Sequence, residues 1–159
     1  MIQEGQPAPP FTLNDASGNP WSLDALRAGG PVVVFFYPRD ESTICTREVC
    51  AFRDAHQDFA EAGAAVVGIS SDDGESHEAF ARKQRLNYLL LSDPGGKVRR
   101  AYGIPKSLGV VDGRATFVID RAGKVRLAYA AQLVAEGHTR RALETVRAIR
   151  GEPGVPPAR

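Results

Sequence analysis

An α/β fold built on a mixed central sheet is what this sequence predicts, and three features predict it. Val32 to Tyr37 is a continuous β-branched and aromatic run closed by Pro38, the pattern of a strand covered on both faces. From about Thr43 the apolar period changes from strand to helix, and a second buried strand, Ala65 to Ser70, follows. Near the C-terminus, Asp120-Arg121-Ala122-Gly123 joins two strand-like runs so tightly that they must be antiparallel. Parallel strands joined by helices, followed by a hairpin, give a mixed sheet.

The elements follow in order. Phe11 to Leu26 sets short apolar segments around the turn formers Asp15, Ser17, Gly18, Asn19 and Pro20, which predicts a small N-terminal hairpin ahead of the main fold. Within the helix predicted over Thr43 to Ala62, Cys45, Val49, Phe52, His56 and Phe59 recur at spacings of four, three, four and three, and Gly63 supplies the stop. The polar turn Ser70 to Glu75 leads to a helix from about Ser76 to Arg85 with Phe80 inward, and Tyr88 to Leu91 is a third strand. After the turn Asp93 to Gly96, a short helix reaches Tyr102. Ala115 to Ile119 and Val125 to Tyr129 are the hairpin strands, and Thr139 to Ile149 is a closing helix with Leu143, Val146 and Ile149 as its stripe. A βαβ half with right-handed crossover, a further helical crossover, a hairpin and a last helix is the thioredoxin-like order. A single domain over 1–150 is expected, with 151–159 (GEPGVPPAR) a flexible Pro/Gly tail that has nothing to pack.

Composition narrows the function classes. With 43% hydrophobic and 25% charged residues the 159-residue chain has a globular balance. Its 20 basic and 19 acidic residues leave a net +1, too small for the positive field that nucleic acid or an anionic membrane requires. The longest apolar runs fall far short of the roughly 20 residues that span a bilayer. The opening MIQEGQPAPP has no basic segment followed by an apolar stretch, so the default expectation is a cytoplasmic protein. Two cysteines, both in one stretch at Cys45 and Cys50, point to chemistry rather than to a disulfide scaffold.

Cys45 falls in the first turn of a helix that follows the central strand. Unpaired N–H groups and the positive end of the helix dipole favour a thiolate there and should lower the thiol's usual pKa of about 8.5. Position alone leaves a nucleophile and a small buried hydrophobe both open. Pro38, Ser42 and Cys45, however, stand as P-x-x-x-S-x-x-C in PRDESTIC, which resembles the peroxiredoxin signature P-x-x-x-(T/S)-x-x-C on the same strand-loop-helix segment. The resemblance extends from GQPAPPFTLNDASG through FFYPRDESTICTREVC to GRATFVIDRAGKV. A second cysteine five residues after the first makes the chain most similar to the bacterioferritin comigratory protein, or Q-type, branch.

The resemblance implies a thiol peroxidase for hydrogen peroxide and organic hydroperoxides that uses no cofactor, is recycled by a thioredoxin-type donor and works as a monomer. It implies that Cys45 is the peroxidatic cysteine, oxidised to a sulfenic acid, and that Cys50 resolves it as an intramolecular disulfide. Ser42 would be the hydroxyl that donates to the peroxide, Pro38 the shield of the thiolate from water, and Arg114 the cation beside thiolate and peroxide. Glu48 would hold Arg114, although a first-turn acid favoured by the helix dipole reads the same way. Where the branch commonly reads T-P-G-C, this chain has S-T-I-C, so Thr43 and Ile44 bear on loop shape and substrate size. Five residues of ideal helix separate two Cα atoms by roughly 8.7 Å, beyond the roughly 7 Å that a disulfide tolerates, so Cys45 and Cys50 must leave helical geometry to bond.

Two other readings stay open on the residues alone. A disulfide reductase is disfavoured because its C-x-x-C places both sulfurs at one turn, and a redox switch without turnover needs only the cysteine pair. His56, His77 and His138 are scattered with no zinc-ligand spacing, so no metal is expected, and PGGKV lacks the first Gly and the final Ser/Thr of a phosphate loop.

Overall fold

The computed structural model describes residues 1–107, 109, 111–132 and 135–153. Seven strands form one mixed sheet: β1 (Thr12–Asp15), β2 (Pro20–Ser22), β3 (Val32–Phe36), β4 (Ala65–Ser70), β5 (Leu89–Ser92), β6 (Ala115–Ile119) and β7 (Val125–Ala130). Their order is β2-β1-β5-β4-β3-β6-β7, with β3, β4 and β5 parallel and the other pairs antiparallel. The helices are α1 (Leu23–Leu26), α2 (Thr43–Asp54), α3 (His56–Glu61), α4 (Gly74–Gln84), α5 (Lys97–Ala101) and α6 (Glu136–Arg150), with one 3-10 turn at Pro94–Gly96.

β3 lies between β4 and β6, and all five of its residues are buried, as its unbroken apolar run requires. Its side chains alternate between two cores. Val32, Val34 and Phe36 pack with Leu13, Ile69, Tyr102 and Phe117 on one face. Val33 and Phe35 pack with Val49, Phe52, Phe59 and Val146 on the other, where the Phe35 and Phe52 rings stack 4.3 Å apart. The N-terminal hairpin extends the sheet by pairing β1 with β5.

Three expectations are corrected. The helix expected over Thr43 to Ala62 is two helices, α2 and α3, broken at Ala55 (φ −89°, ψ 2°). No Pro or Gly marks the break. Asn87 donates to the Arg53 carbonyl, and the Arg53 guanidinium reaches the Gln84 carbonyl, so contacts from beyond the helix hold its end. The closing helix begins at Glu136 rather than Thr139, and its buried face is His138, Ala142, Val146 and Ile149, with Leu143 half-buried. The tail does pack at its start: Glu152 accepts from both terminal nitrogens of Arg126. Residues 154–159 of the expected tail lie outside the described residues.

Among the described residues no helix is long and apolar enough to cross a membrane.

Candidate active site

β3 delivers the chain at Pro38 into a short loop that ends where α2 begins. Ser42 is the N-cap, and its Oγ accepts from the Cys45 N–H at 3.2 Å. Cys45 is therefore the third residue of α2, inside the turn whose N–H groups have no helical partner. It is fully buried. The loop is held in an uncommon shape, with Glu41 at φ 68° immediately before the cap.

Asp40 fixes that loop. Its carboxylate accepts from Tyr37 Oη at 2.6 Å, Ser76 Oγ at 2.8 Å and His77 Nδ1 at 2.8 Å, while its N–H donates to Asp72 at 2.7 Å. His77 Nε2 faces the Leu91 carbonyl at 3.1 Å, so both ring nitrogens face acceptors. The sequence reading missed this knot, because Asp40 and His77 are 37 residues apart. Asp40, Asp72 and His77 together have the atom types of a metal site. Both Asp40 oxygens, both His77 ring nitrogens and Asp72 Oδ2 are engaged by protein donors and acceptors, which makes the three an anchor for the loop.

Arg114 arrives from the other side, one residue before β6. Its Nη2 donates to Cys45 Sγ at 3.2 Å, its Nε donates to the Gln132 carbonyl at 3.3 Å, and the residue is buried. Gly113 makes the approach possible, since a Cβ there would overlap the Pro105 carbonyl oxygen. The structure thus brings Pro38, Ser42 and Cys45, singled out by their motif, and Arg114, singled out by the resemblance, to one end of the sheet. A cleft of about 670 Å³ is lined among others by Pro38, Ser42, Thr43, Ile44, Val111 and Arg114, with Cys45 buried behind Ser42 and Arg114. The Thr43–Ile44 departure is therefore part of the cleft wall.

Glu48, one turn after Cys45, lies with Oε1 3.4 Å from Arg114 Nη1 and Oε2 3.6 Å from His138 Nε2. Both approaches are within ion-pairing distance, yet neither carboxyl oxygen accepts a hydrogen bond among the described residues. Burial pushes Glu48 up to about 8 against the pull of Arg114. His138 gives its Nε2 proton to the Ala131 carbonyl at 2.8 Å and has Thr116 Oγ1 2.8 Å from Nδ1, and burial pulls it down to about 4. Burial thus biases Glu48 toward its protonated form and His138 toward its neutral one. The structure places Glu48, expected to hold Arg114, within ion-pairing distance of its guanidinium, with no hydrogen bond between the two among the described residues. His138 was read as one of three scattered histidines, and its place behind Glu48 follows from β6 packing on α6, which local sequence does not reveal.

Cys50, on the same helix, is half-buried, and its Sγ lies 3.4 Å from Gln84 Oε1. Burial pushes its thiol up, with Arg53 opposing. Both cysteines are free and both are helical, as the five-residue spacing demands.

Known proteins resemble this chain over most of its length. Residues 4–128 match the AhpC/TSA family. Peroxiredoxin Q of Sedum lineare is 47% identical over 150 residues, covering 94% of this chain and 80% of that protein. The Arabidopsis thaliana peroxiredoxin Q is 49% identical over 148 residues, covering 92% and 68%. Among solved structures, peroxidoxin BcpB from Mycobacterium tuberculosis superposes with a TM-score of 0.88 at 40% identity, covering 95% of this chain and all of that one. The Xanthomonas campestris bacterioferritin comigratory protein, whose structures concern alkyl peroxide reduction, gives 0.80 at 29%, covering 88% and 92%. The plant relatives are chloroplastic proteins, which overturns the expectation of a cytoplasmic location: a plant orthologue would reside in the plastid. The chain belongs to the AhpC/TSA family and is a peroxiredoxin of the bacterioferritin comigratory, or Q-type, branch, a thiol-dependent peroxidase.

Proposed function

We propose that Cys45 is the peroxidatic cysteine and Cys50 the resolving one, in a monomeric enzyme recycled by a thioredoxin-type dithiol. The observation that carries this reading is the Arg114 Nη2 donor 3.2 Å from Cys45 Sγ at the start of α2. A thiolate there is stabilised by a fixed guanidinium and by helix N–H groups. It attacks the outer peroxide oxygen; the S–O bond forms as the O–O bond breaks, and the leaving oxygen departs as alkoxide or hydroxide that takes a proton from water. Arg114 also stabilises the charge passing to that oxygen. Ser42, whose Oγ already accepts from the Cys45 N–H, retains its O–H to donate to the peroxide, and Pro38 screens the sulfur from bulk water.

The Cys45 sulfenic acid is then attacked by Cys50. The S–S bond forms, the S–O bond breaks and water leaves. A dithiol reductant supplies the two electrons that return both thiols. Exposure of Cys50 supports this division of labour, because its partly open thiol can meet both Cys45 and an outside dithiol once α2 opens.

Intact mass after one equivalent of peroxide tests the reading. Loss of two hydrogens is expected. A gained oxygen would remove Cys50 from the resolving role, and continued peroxide turnover by Cys45→Ser would remove Cys45 from the chemistry.

A further inference from the structure

A buried and fully engaged arginine stands on α5, a helix to which the reaction assigns nothing. Arg99 is 5% exposed. Its Nη2 donates to the Tyr37 carbonyl at 2.7 Å, and its Nη1 donates to the Gly113 carbonyl. These are the residues directly before Pro38 and Arg114. Its Nε lies 3.9 Å from Asp112 Oδ2, and its guanidinium carbon lies 5.7 Å from the centroid of the Phe36 ring.

The position has a reason in the sheet. β3 and β6 pair from Val32↔Ile119 to Phe36↔Ala115 and then stop. Extending that register places Pro38 opposite Gly113, and Pro38 has no N–H to offer. The two strand ends carrying the Pro38 loop and Arg114 would therefore separate with buried carbonyls unmet. The planar fork of Arg99 supplies the missing donors and ties one end to the other. Its own backbone is fixed in turn, because the buried Asp93 carboxylate accepts from the Arg99 and Val98 N–H groups at 3.0 and 3.1 Å. Burial lowers the guanidinium's hold on its proton, while the nearby charges of Asp112, Asp93 and Cys45 raise it.

We propose that Arg99 is a positioning residue for peroxide reduction: by bridging the Tyr37 and Gly113 carbonyls it sets the distance between Pro38 and Arg114 across Cys45. The proposal rests on the assignment of Cys45 and Arg114 made above. It adds a second buried arginine that acts through backbone and touches neither sulfur nor substrate. A Lys at this position keeps the charge but loses the fork that reaches two diverging carbonyls at once.

The test compares Arg99→Met, Arg99→Lys and the control Arg100→Met, whose native side chain is exposed. The rate of Cys45 oxidation by peroxide is measured from pH 5 to 9, with thermal unfolding in parallel. Misplacement of this order near a reacting centre costs up to about 100-fold. Arg99→Met should slow oxidation to that extent and move the pH profile to higher pH. Arg99→Lys should return the profile toward wild type while the rate stays at least about tenfold low, a separation of charge from geometry that a purely structural residue would not show. Arg100→Met should match wild type. A wild-type rate in Arg99→Lys or Arg99→Met, with or without a lower melting temperature, would overturn the proposal. Should Arg99→Met fail to fold, the Lys variant decides alone. An inactive wild-type protein, or an active Cys45→Ser, would instead overturn the assignment of Cys45 and leave a different signature.

Discussion

At the scale of single residues, the site consists of one thiol and the cation fixed beside it. Arg114 is held by Gln132 on both its backbone and its side chain, with Gln132 Oε1 accepting from the Arg114 N–H at 2.7 Å, so its donor direction is set before peroxide arrives. Arg114→Lys is therefore expected to lower the rate of Cys45 oxidation by about 100-fold or more while leaving the fold intact, since the charge remains and the fork does not. Stopped-flow measurement of the peroxide step checks this; a rate unchanged within twofold would mean that orientation at this position is immaterial. Pro38, Ser42 and Cys45 were legible in the sequence because the three sit within eight residues on a strand-to-helix turn in a family-like spacing, and Arg114, one residue before β6, was legible only through the resemblance. Arg99, Asp40, His77 and His138 were not. Each acts through a partner at least 14 residues away, and before folding a buried Arg or His looks like any surface one.

At the scale of elements, α2 carries both cysteines on one rigid rod, so the proposed Cys45–Cys50 disulfide requires its order to be given up once per turnover. The strongly patterned strands β3, β4 and β6 and the start of α2 were readable almost to the residue. The break at Ala55 was not, because it is imposed by Asn87 and by the Arg53 contact to Gln84 rather than by a helix breaker. That same neighbourhood secures Cys50. Tyr88 Oη donates to the Val49 carbonyl at 2.7 Å, and Cys50 Sγ meets Gln84. Disulfide formation requires the Cα atoms to close from a helical separation of roughly 8.7 Å to less than about 7 Å. The first turns of α2 must then unwind, exposing Val49, which is fully buried in the reduced protein. Amide exchange across Thr43 to Phe52 should be slow in the dithiol form and fast in the disulfide form; equal protection in both would contradict unwinding. Cys50→Ser is expected to react once with peroxide at a normal rate and then to stall as the sulfenic acid when a thioredoxin-type donor is supplied.

At the scale of the whole molecule, two buried groups with displaced protonation make the fold's stability depend on pH in opposite senses. His138 falls from its usual 6.5 to about 4, so below pH 6.5 the unfolded chain takes up a proton that the native one refuses. Stability from this group is therefore lost as pH falls from 6.5 to 4. Glu48 rises from 4.5 to about 8, so above pH 4.5 the native chain keeps a proton that the unfolded one releases. Stability from this group is lost as pH rises from 4.5 to 8. Each contributes a slope of at most about 1.4 kcal/mol per pH unit. Between pH 4.5 and 6.5 the two slopes oppose and nearly cancel, and from 6.5 to 8 Glu48 is the one of the pair that acts. Urea unfolding midpoints should thus be flat over the lower range and fall over the upper one. Glu48→Gln, neutral in both states, should abolish the upper decline and leave stability rising with pH from 4 to 6.5 on His138 alone. A wild-type midpoint that climbs from pH 6.5 to 8, or a Gln variant with the same decline as wild type, would show that Glu48 is ionised in the fold and that it, rather than Cys45, has the first claim on the charge of Arg114.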